Sequence, residues 1–395
     1  MSLTVTAAAA LARTQAAETE RARMLSPVLA DSLTDAGFAR HFVPKPWGGE
    51  AGSFTEAAEA VAELGEACAA TAWCAALYAA HARLAAHLPE QGRQDLWEHT
   101  PDVRIAASVV PPAGTAEEAR PPQAATPATA TSDAGVRAAD PAGDTAEGWW
   151  LEGTWHHASG VDHAHWILLA SWTGSAADRT VRLFAVPREA CEVSDTWHTL
   201  GLRGTGSNTV RLERTFVPAH RTCTLADLGR FEPGRDRCHS VPYQMVAGAQ
   251  FLAPALGAAR QALRDWHELT AHRIRPDGSR AADAPAQRAA AARSSAEIHA
   301  AGLLLDHALQ QADLGEVTPR AVAENARDFA LAAELIAAAA DRLVRAAGLR
   351  AQAEDCPLQR RWRDIRAAAG HAALDFEAAS TLYAQAQATV DEAAR

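Results

Sequence analysis

GWWLEGTWHHASGVDHAHW, residues 148–166, is the stretch on which the architecture turns. Four histidines, His156, His157, His163 and His165, fall within ten positions beside one serine, Ser159. The stretch reads as a metal site, a catalytic cluster, or a strand and turn rich in histidine. Adjacent residues on a strand point to opposite faces, so His156 and His157 are not expected to share an ion. His163 and His165 could share a face, but no Cys, Asp or Glu nearby completes a tetrahedral set with metal-site spacing. No metal is therefore expected, and His163 and His165 are placed on the solvent face of a sheet. Ser159 differs. A small hydroxyl followed by Gly160 at a strand end lets a planar ligand approach the backbone.

Outward from this stretch, HWILLASW (165–172), TVRLFAVP (180–187) and SNTVRLERTFVP (207–218) are short β-branched or aromatic runs separated by turn residues. They predict a half-buried antiparallel sheet within residues 103–225. Residues 111–147 are rich in Pro, Ala, Thr and Asp, too poor in large apolar groups to pack, and read as a flexible insertion.

Both flanks are helical. In residues 1–102, LADSLTDAGF ends a helix at Gly37, FVPKPWGG is a connection, and Ser53 with Glu56 forms a capping-box pattern before a long alanine-rich run. In residues 226–395, Val322, Phe329, Ile336 and Leu343 recur every seven positions. Ala326, Ala333 and Ala340 fill the offset of four, giving a seam that lets helices approach closely. Thr318-Pro319 starts that helix and Gly348 stops it. Helices over 242–272, 284–313, 320–347 and 357–392 predict a four-helix bundle. The fold class is α+β: helices, then a β domain, then a bundle.

Composition narrows the function classes. The 395 residues carry 37 Lys+Arg against 48 Asp+Glu, a formal charge of −11 without long single-sign runs. That balance disfavours nucleic-acid binding through phosphate neutralisation. The apolar helices are broken by charges, so no membrane span is expected, and the first residues lack a secretory pattern. Six scattered cysteines without a CxxC pair fit a reducing cytoplasm.

Several motifs together carry a family resemblance. Residues 148–160 resemble the "G-x-W-x-x-x-S-G" strand and turn of the acyl-CoA dehydrogenase-like flavoproteins. WHTLGLRGTGSNTV (197–210), followed by Phe216-Val217-Pro218, resembles another of their segments. PLQRRWRDI (357–365) is similar to their late "Q-R-x-x-R-D" helix, and FVPKPWGGEAG (42–52) to their "vP-x-x-y-GG" connection. The resemblance spans nearly the whole chain and agrees with the α–β–α order.

That family holds two chemistries. Its dehydrogenases need a carboxylate to take the proton α to a thioester, in many members a glutamate in a "Y-E-G-T" turn about eight residues after the Arg-Asp pair. Here Arg363-Asp364 is followed by IRAAAGHAALDFE, and His371 stands almost where the base belongs, with Asp375 and Glu377 farther on. This departure resembles the two-component flavin-dependent monooxygenases. The resemblance implies that reduced flavin, FMN or FAD, arrives from a separate NAD(P)H:flavin reductase and reacts with O2 through a C4a-hydroperoxyflavin. A small organic substrate is then hydroxylated at an aromatic carbon or an amine nitrogen. The chain has no GxGxxG following a strand, hence no visible nicotinamide site of its own.

The resemblance implies roles for particular residues. Ser159 would hydrogen-bond near flavin N5, His371 on a bundle helix would act as acid or base, and His81 would line the pocket. Trp155 and Trp197 would pack against or beside the isoalloxazine, and Arg273 or Arg275 would reach the flavin phosphate of a neighbouring subunit in a homotetramer. An acyl-CoA dehydrogenase with its base elsewhere, and a non-catalytic scaffold, are the rival readings.

Overall fold

The computed structural model describes residues 3–119, 147–175, 178–275 and 277–393. Its centre is the strand that the histidine-rich stretch predicts, β3 (Gly148–Ala158). β3 pairs antiparallel with β7 (Asn208–Pro218), and β2 (Thr115–Ala119) and β6 (Glu192–Ser194) complete a sheet in the order β2-β3-β7-β6. A second sheet runs β1-β4-β5-β8, from β1 (Ile105–Ser108), β4 (Trp166–Thr173), β5 (Thr180–Pro187) and β8 (Thr222–Thr224). Two expectations are corrected here. β1 and β4 are parallel, so the domain is not purely antiparallel. Residues 115–119 of the supposed insertion pair with β3 as a strand. The remainder of that segment, 120–146, lies outside the described residues.

The sheets pack face to face. Leu151, Trp155, Ile167, Leu169, Phe184 and Val210 fill the space between them. The opposite face of the second sheet, through Leu168, Leu183 and Ala185, packs on the N-terminal helices through Ala82, Leu96 and Trp97. β5 is thus apolar on both faces because both are covered, which explains its broken alternation.

The N-terminal region comprises α1 (Thr6–Ala22), α2 (Pro27–Asp35), α3 (Phe54–Ala67), α4 (Ala69–Ala85) and α5 (Glu90–Trp97). Ser53 Oγ accepts from the Glu56 N–H at the start of α3. Short helices α6 (Leu225–Leu228) and α7 (Arg237–Ser240) lead to the bundle. α8 (Ala249–Ala271), α9 (Pro285–Leu314) and α10 (Pro319–Ala347) are continuous. Thr318 Oγ1 caps α10, which packs on the other bundle helices. Phe329, Ile336 and Leu343 of its seam are fully buried. The helix predicted over 357–392 is in fact two, α11 (Pro357–Ala369) and α12 (Phe376–Ala393). Gly370 ends α11, and Asp375 Oδ1 accepts from Ala378 N–H to open α12. His371 therefore sits in a turn between helices rather than on one.

Candidate active site

A cleft of about 390 Å³ opens where α4, the ends of β1 and β3, the 197–207 loop, the start of α8 and the 370–372 turn converge. Of the residues expected to serve chemistry, Ser159, His81, His371 and Trp197 all line it.

Ser159 follows β3 and is 7% exposed. Its Oγ accepts from Trp73 Nε1 at 3.2 Å and lies 2.7 Å from Ser207 Oγ. The turn is held by Tyr78, whose hydroxyl donates to Gly160 O at 2.8 Å. Gly160 has φ +69°, and a Cβ there would meet the Tyr78 hydroxyl at 2.7 Å, so both backbone and space demand glycine.

His81 on α4 has its Nδ1 2.9 Å from the Ile105 carbonyl oxygen. A carbonyl only accepts, so Nδ1 carries the hydrogen and Nε2 is a bare acceptor. Burial pulls its pKa down to about 4. His371 is the converse. Its Nδ1 accepts from Ala373 N–H at 3.1 Å, so the neutral ring carries its hydrogen on Nε2. The ring stacks on Phe251 (centroids 3.6 Å, 23°) and meets Trp73 edge-on at 5.9 Å. Burial, and then the neighbouring His157, lower its pKa to about 4. Both imidazoles are thus neutral at pH 7, one an acceptor and one a donor.

Trp197 donates from Nε1 to Leu202 O at 2.9 Å and stands edge-on to His157 at 5.7 Å. Trp155 is a correction. Leu151, Gly153 and Trp155 share one parity on β3, and Trp155 is fully buried between the sheets, donating from Nε1 to Ala170 O. It cannot pack on a ligand in the cleft. Arg273 Nη1 donates to Ala347 O, and Arg275 pairs at 3.8 Å with Asp277. Neither lines the cleft of its own chain.

The histidine cluster divides differently than expected. An extra residue in β3 between the pairs Trp155–Val210 and Ala158–Asn208 makes a bulge, and His157 takes φ +64°. Strict alternation fails there, and His156 and His157 both line the cleft. His163 is half-buried, whereas His165 is exposed as expected. His163 Nε2 donates to Leu25 O, and His165 Nδ1 accepts from Arg104 N–H. Among the described residues no group of three or more His, Cys, Asp or Glu gathers to hold a metal.

No described residue lining the cleft is a carboxylate. Asp375 and Glu377 are both exposed on the turn and the first turn of α12. Asp364 is buried but outside the cleft; burial raises its pKa to about 6, and its Oδ1 accepts from Leu202 N–H at 2.6 Å. Sequence reasoning missed Thr205, Ser207 and Phe251 as cleft residues, although the first two lay within the GLRGTGS segment it singled out.

Comparison with known proteins completes the assignment. A family model described as acyl-CoA dehydrogenase, C-terminal domain, matches residues 249–376. The chain is 31% identical over 389 residues to the flavin-dependent monooxygenase oxygenase subunit HsaA of Rhodococcus jostii (strain RHA1), covering 94% of each chain. The chain belongs to the flavin-dependent monooxygenases. It is 30% identical over 406 residues to the FADH(2)-dependent resorcinol hydroxylase oxygenase component of Rhizobium sp. (strain MTP-10005), covering 96% of this chain and 92% of that one. The crystal structure of 3-HSA hydroxylase from Rhodococcus sp. RHA1 superposes with a TM-score of 0.83 at 28% identity, over 97% and 95% of the two chains. This monooxygenase is an oxygenase component: it works with reduced flavin, a separate flavin reductase and a small-molecule substrate.

The cleft of the monooxygenase fits such a flavin. Its volume lies in the range of ligand pockets, roughly 300–1,000 Å³. Its walls offer aromatic faces at Trp73, Trp197 and Phe251, and a ridge of buried hydroxyls at Ser159, Thr205 and Ser207 suits the heteroatom edge of a planar ring.

Proposed function

We propose that this monooxygenase hydroxylates a hydroxy-aromatic compound with reduced FAD, and that Ser159, His81 and His371 are its catalytic residues. Reduced flavin bound in the cleft supplies the two electrons that let dioxygen give one atom to substrate and the other to water. Ser159 holds the proton at flavin N5 through its Oγ and helps keep water from it. His81, bare at Nε2, accepts the proton of the substrate hydroxyl, which makes the ring a better nucleophile. His371 presents Nε2–H to the oxygen that departs as water. Trp197 flanks the flavin ring. The observation that carries this reading is the pair of neutral imidazoles with opposite tautomers in a cleft to which no described residue contributes a carboxylate. Abstraction of a proton α to a thioester in this family calls for a carboxylate, which no described residue of the cleft supplies.

FAD and the hydroxy-aromatic substrate follow the similarity to the resorcinol hydroxylase. We also place the chain in a cytoplasmic homotetramer, in which Arg273 or Arg275 reaches the flavin phosphate of a neighbour. Exposed Ile274, Leu303 and Leu349 supply apolar surface for that assembly. The test pairs the protein with a flavin reductase, NADH and either FAD or FMN, and follows oxygen uptake and product over a panel of phenols and aryl amines. Phenol hydroxylation with FAD is expected. Anaerobic bleaching of oxidised holoprotein by an acyl-CoA, without phenol turnover, would overturn the reading.

A further inference from the structure

Four buried polar side chains in the wall of the cleft, Trp73 of α4 and three hydroxyls of the β domain, touch in sequence. Trp73 Nε1 donates to Ser159 Oγ at 3.2 Å, and Ser159 Oγ lies 2.7 Å from Ser207 Oγ. Ser207 Oγ lies 2.7 Å from Thr205 Oγ1, which lies 2.8 Å from the Leu202 carbonyl oxygen. None of the four side chains belongs to a residue more than 7% exposed.

Both ends of this row have fixed polarity. The indole N–H only donates, and the carbonyl only accepts. Two oxygens at 2.8 Å need a proton between them, so the single Thr205 proton points at Leu202 O. Ser207 must then donate to Thr205, and Ser159 must donate to Ser207. A hydroxyl has one proton and two acceptor positions. At Ser159 the proton goes to Ser207 and one acceptor position to Trp73. One lone pair remains to face the cleft.

The carbonyl that anchors the row is itself immobilised. Leu202 O also accepts from Trp197 Nε1 at 2.9 Å, and Leu202 N–H donates to Asp364 Oδ1 at 2.6 Å. The Thr205 backbone is tied to the Ser159 turn, because Thr205 O accepts from Gly160 N–H at 2.8 Å. Rotating the Ser159 proton toward the cleft would force Ser207 and Thr205 to rotate too, leaving Thr205 Oγ1 and Leu202 O with no proton between them.

Reduced flavin carries a hydrogen at N5, whereas oxidised flavin presents a lone pair there. We propose that Thr205 and Ser207 are positioning residues that lock Ser159 as an acceptor, so that the cleft selects reduced over oxidised flavin. This rests on the reading of the cleft as the flavin site with Ser159 at N5. The consequence suits a protein fed by a separate reductase: reduced flavin is captured, and the spent oxidised form meets lone pair against lone pair and leaves.

The test is equilibrium binding of each flavin form to the full-length protein without substrate or oxygen turnover. Oxidised FAD and FMN are titrated by fluorescence, and dithionite-reduced FAD and FMN anaerobically by calorimetry. The wild type is expected to bind the reduced form at least about tenfold tighter. Ser207→Ala frees the Ser159 proton to turn toward N5, and the preference should fall about tenfold. That fall equals about 30 mV in the two-electron midpoint potential of bound flavin. Ser207→Thr, which keeps the hydroxyl, should keep the preference. Thr205→Val, similar in volume, should lose it as Ser207→Ala does, and it serves if Ser207→Ala does not fold. Equal affinity of the wild type for both redox forms, or an unchanged preference in Ser207→Ala and Thr205→Val, would overturn this inference alone. Failure of the wild type to bind either form would overturn the flavin reading along with it.

Discussion

At His81 and His371 the same physical cause, burial of an imidazole, yields two different tools because the backbone partners differ. Ile105 O takes the Nδ1 hydrogen of one ring, while Ala373 N–H occupies the Nδ1 lone pair of the other. With both pKa values near about 4, neither ring changes charge between pH 6 and 8. The rate of product formation should therefore be level with respect to both rings across that range and fall only as the pH approaches about 4. A pH–rate profile under saturating reduced flavin checks this, and an acid limb centred near about 6.5 would contradict it. Ser159→Ala removes a buried hydrogen bond of about 1–3 kcal/mol, one to two decades of rate. Hydrogen peroxide per NADH consumed should rise accordingly, measured by peroxidase-coupled assay. Ser159, His371 and Trp197 were legible as cleft residues because each stands in or beside a segment that carries the family resemblance, and His81 came from that resemblance alone. Trp155 was misread for want of counting its parity with Leu151. His156 and His157 escaped for a deeper reason: the bulge that turns both into the cleft exists only in the pairing of β3 with β7, far along the chain.

At the scale of elements, close backbone approach joins the N-terminal helices to the bundle. α3 and α8 cross where Gly65 faces Pro254 O and Gly257 faces Ala62 O; a Cβ on Gly257 would meet that oxygen at 2.0 Å. Gly257→Ala must push the helices apart, at about 1–3 kcal/mol, seen as a lower midpoint in urea unfolding. An unchanged midpoint would mean that the contact gives freely. Helix starts and stops were legible at Ser53, Thr318 and Gly348, where capping chemistry is local. The division of α11 from α12 was not, because the 357–392 stretch carries only Gly370 as an interruption and a single glycine is tolerated inside helices. That break is what puts His371 into a turn at the cleft.

In the molecule as a whole the N-terminal helices pack directly on the bundle in one core, the β sandwich docks on those helices, and the cleft opens where all three meet. The α–β–α order was legible because hydrophobic period changes twice along the chain. The meeting point was not, since it joins residues from positions 73 to 372. Burial of neutral histidines also sets how the whole fold responds to acid. Burial lowers His81, His239 and His371 to about 4 and His87 to about 3. The unfolded chain takes up these protons near about 6.5 and the folded chain only well below, so acid favours unfolding through that window. Asp364, raised to about 6, and Asp162, also raised by burial, oppose this by holding their protons in the folded state, but they are two carboxyls against six imidazoles, since burial lowers His41 and His165 as well. Melting temperature should fall from pH 7 to pH 5, and a rise would contradict the assignment of these rings as neutral. Transfer of oxygen to substrate is the step that defines the proposed function, and isotope labelling tests it directly. With reductase, NADH, FAD, a phenolic substrate and ¹⁸O₂, mass spectrometry of the product is predicted to show one ¹⁸O atom per hydroxylation. Product whose new oxygen comes from water, or a dehydrogenated product with no new oxygen, would contradict it.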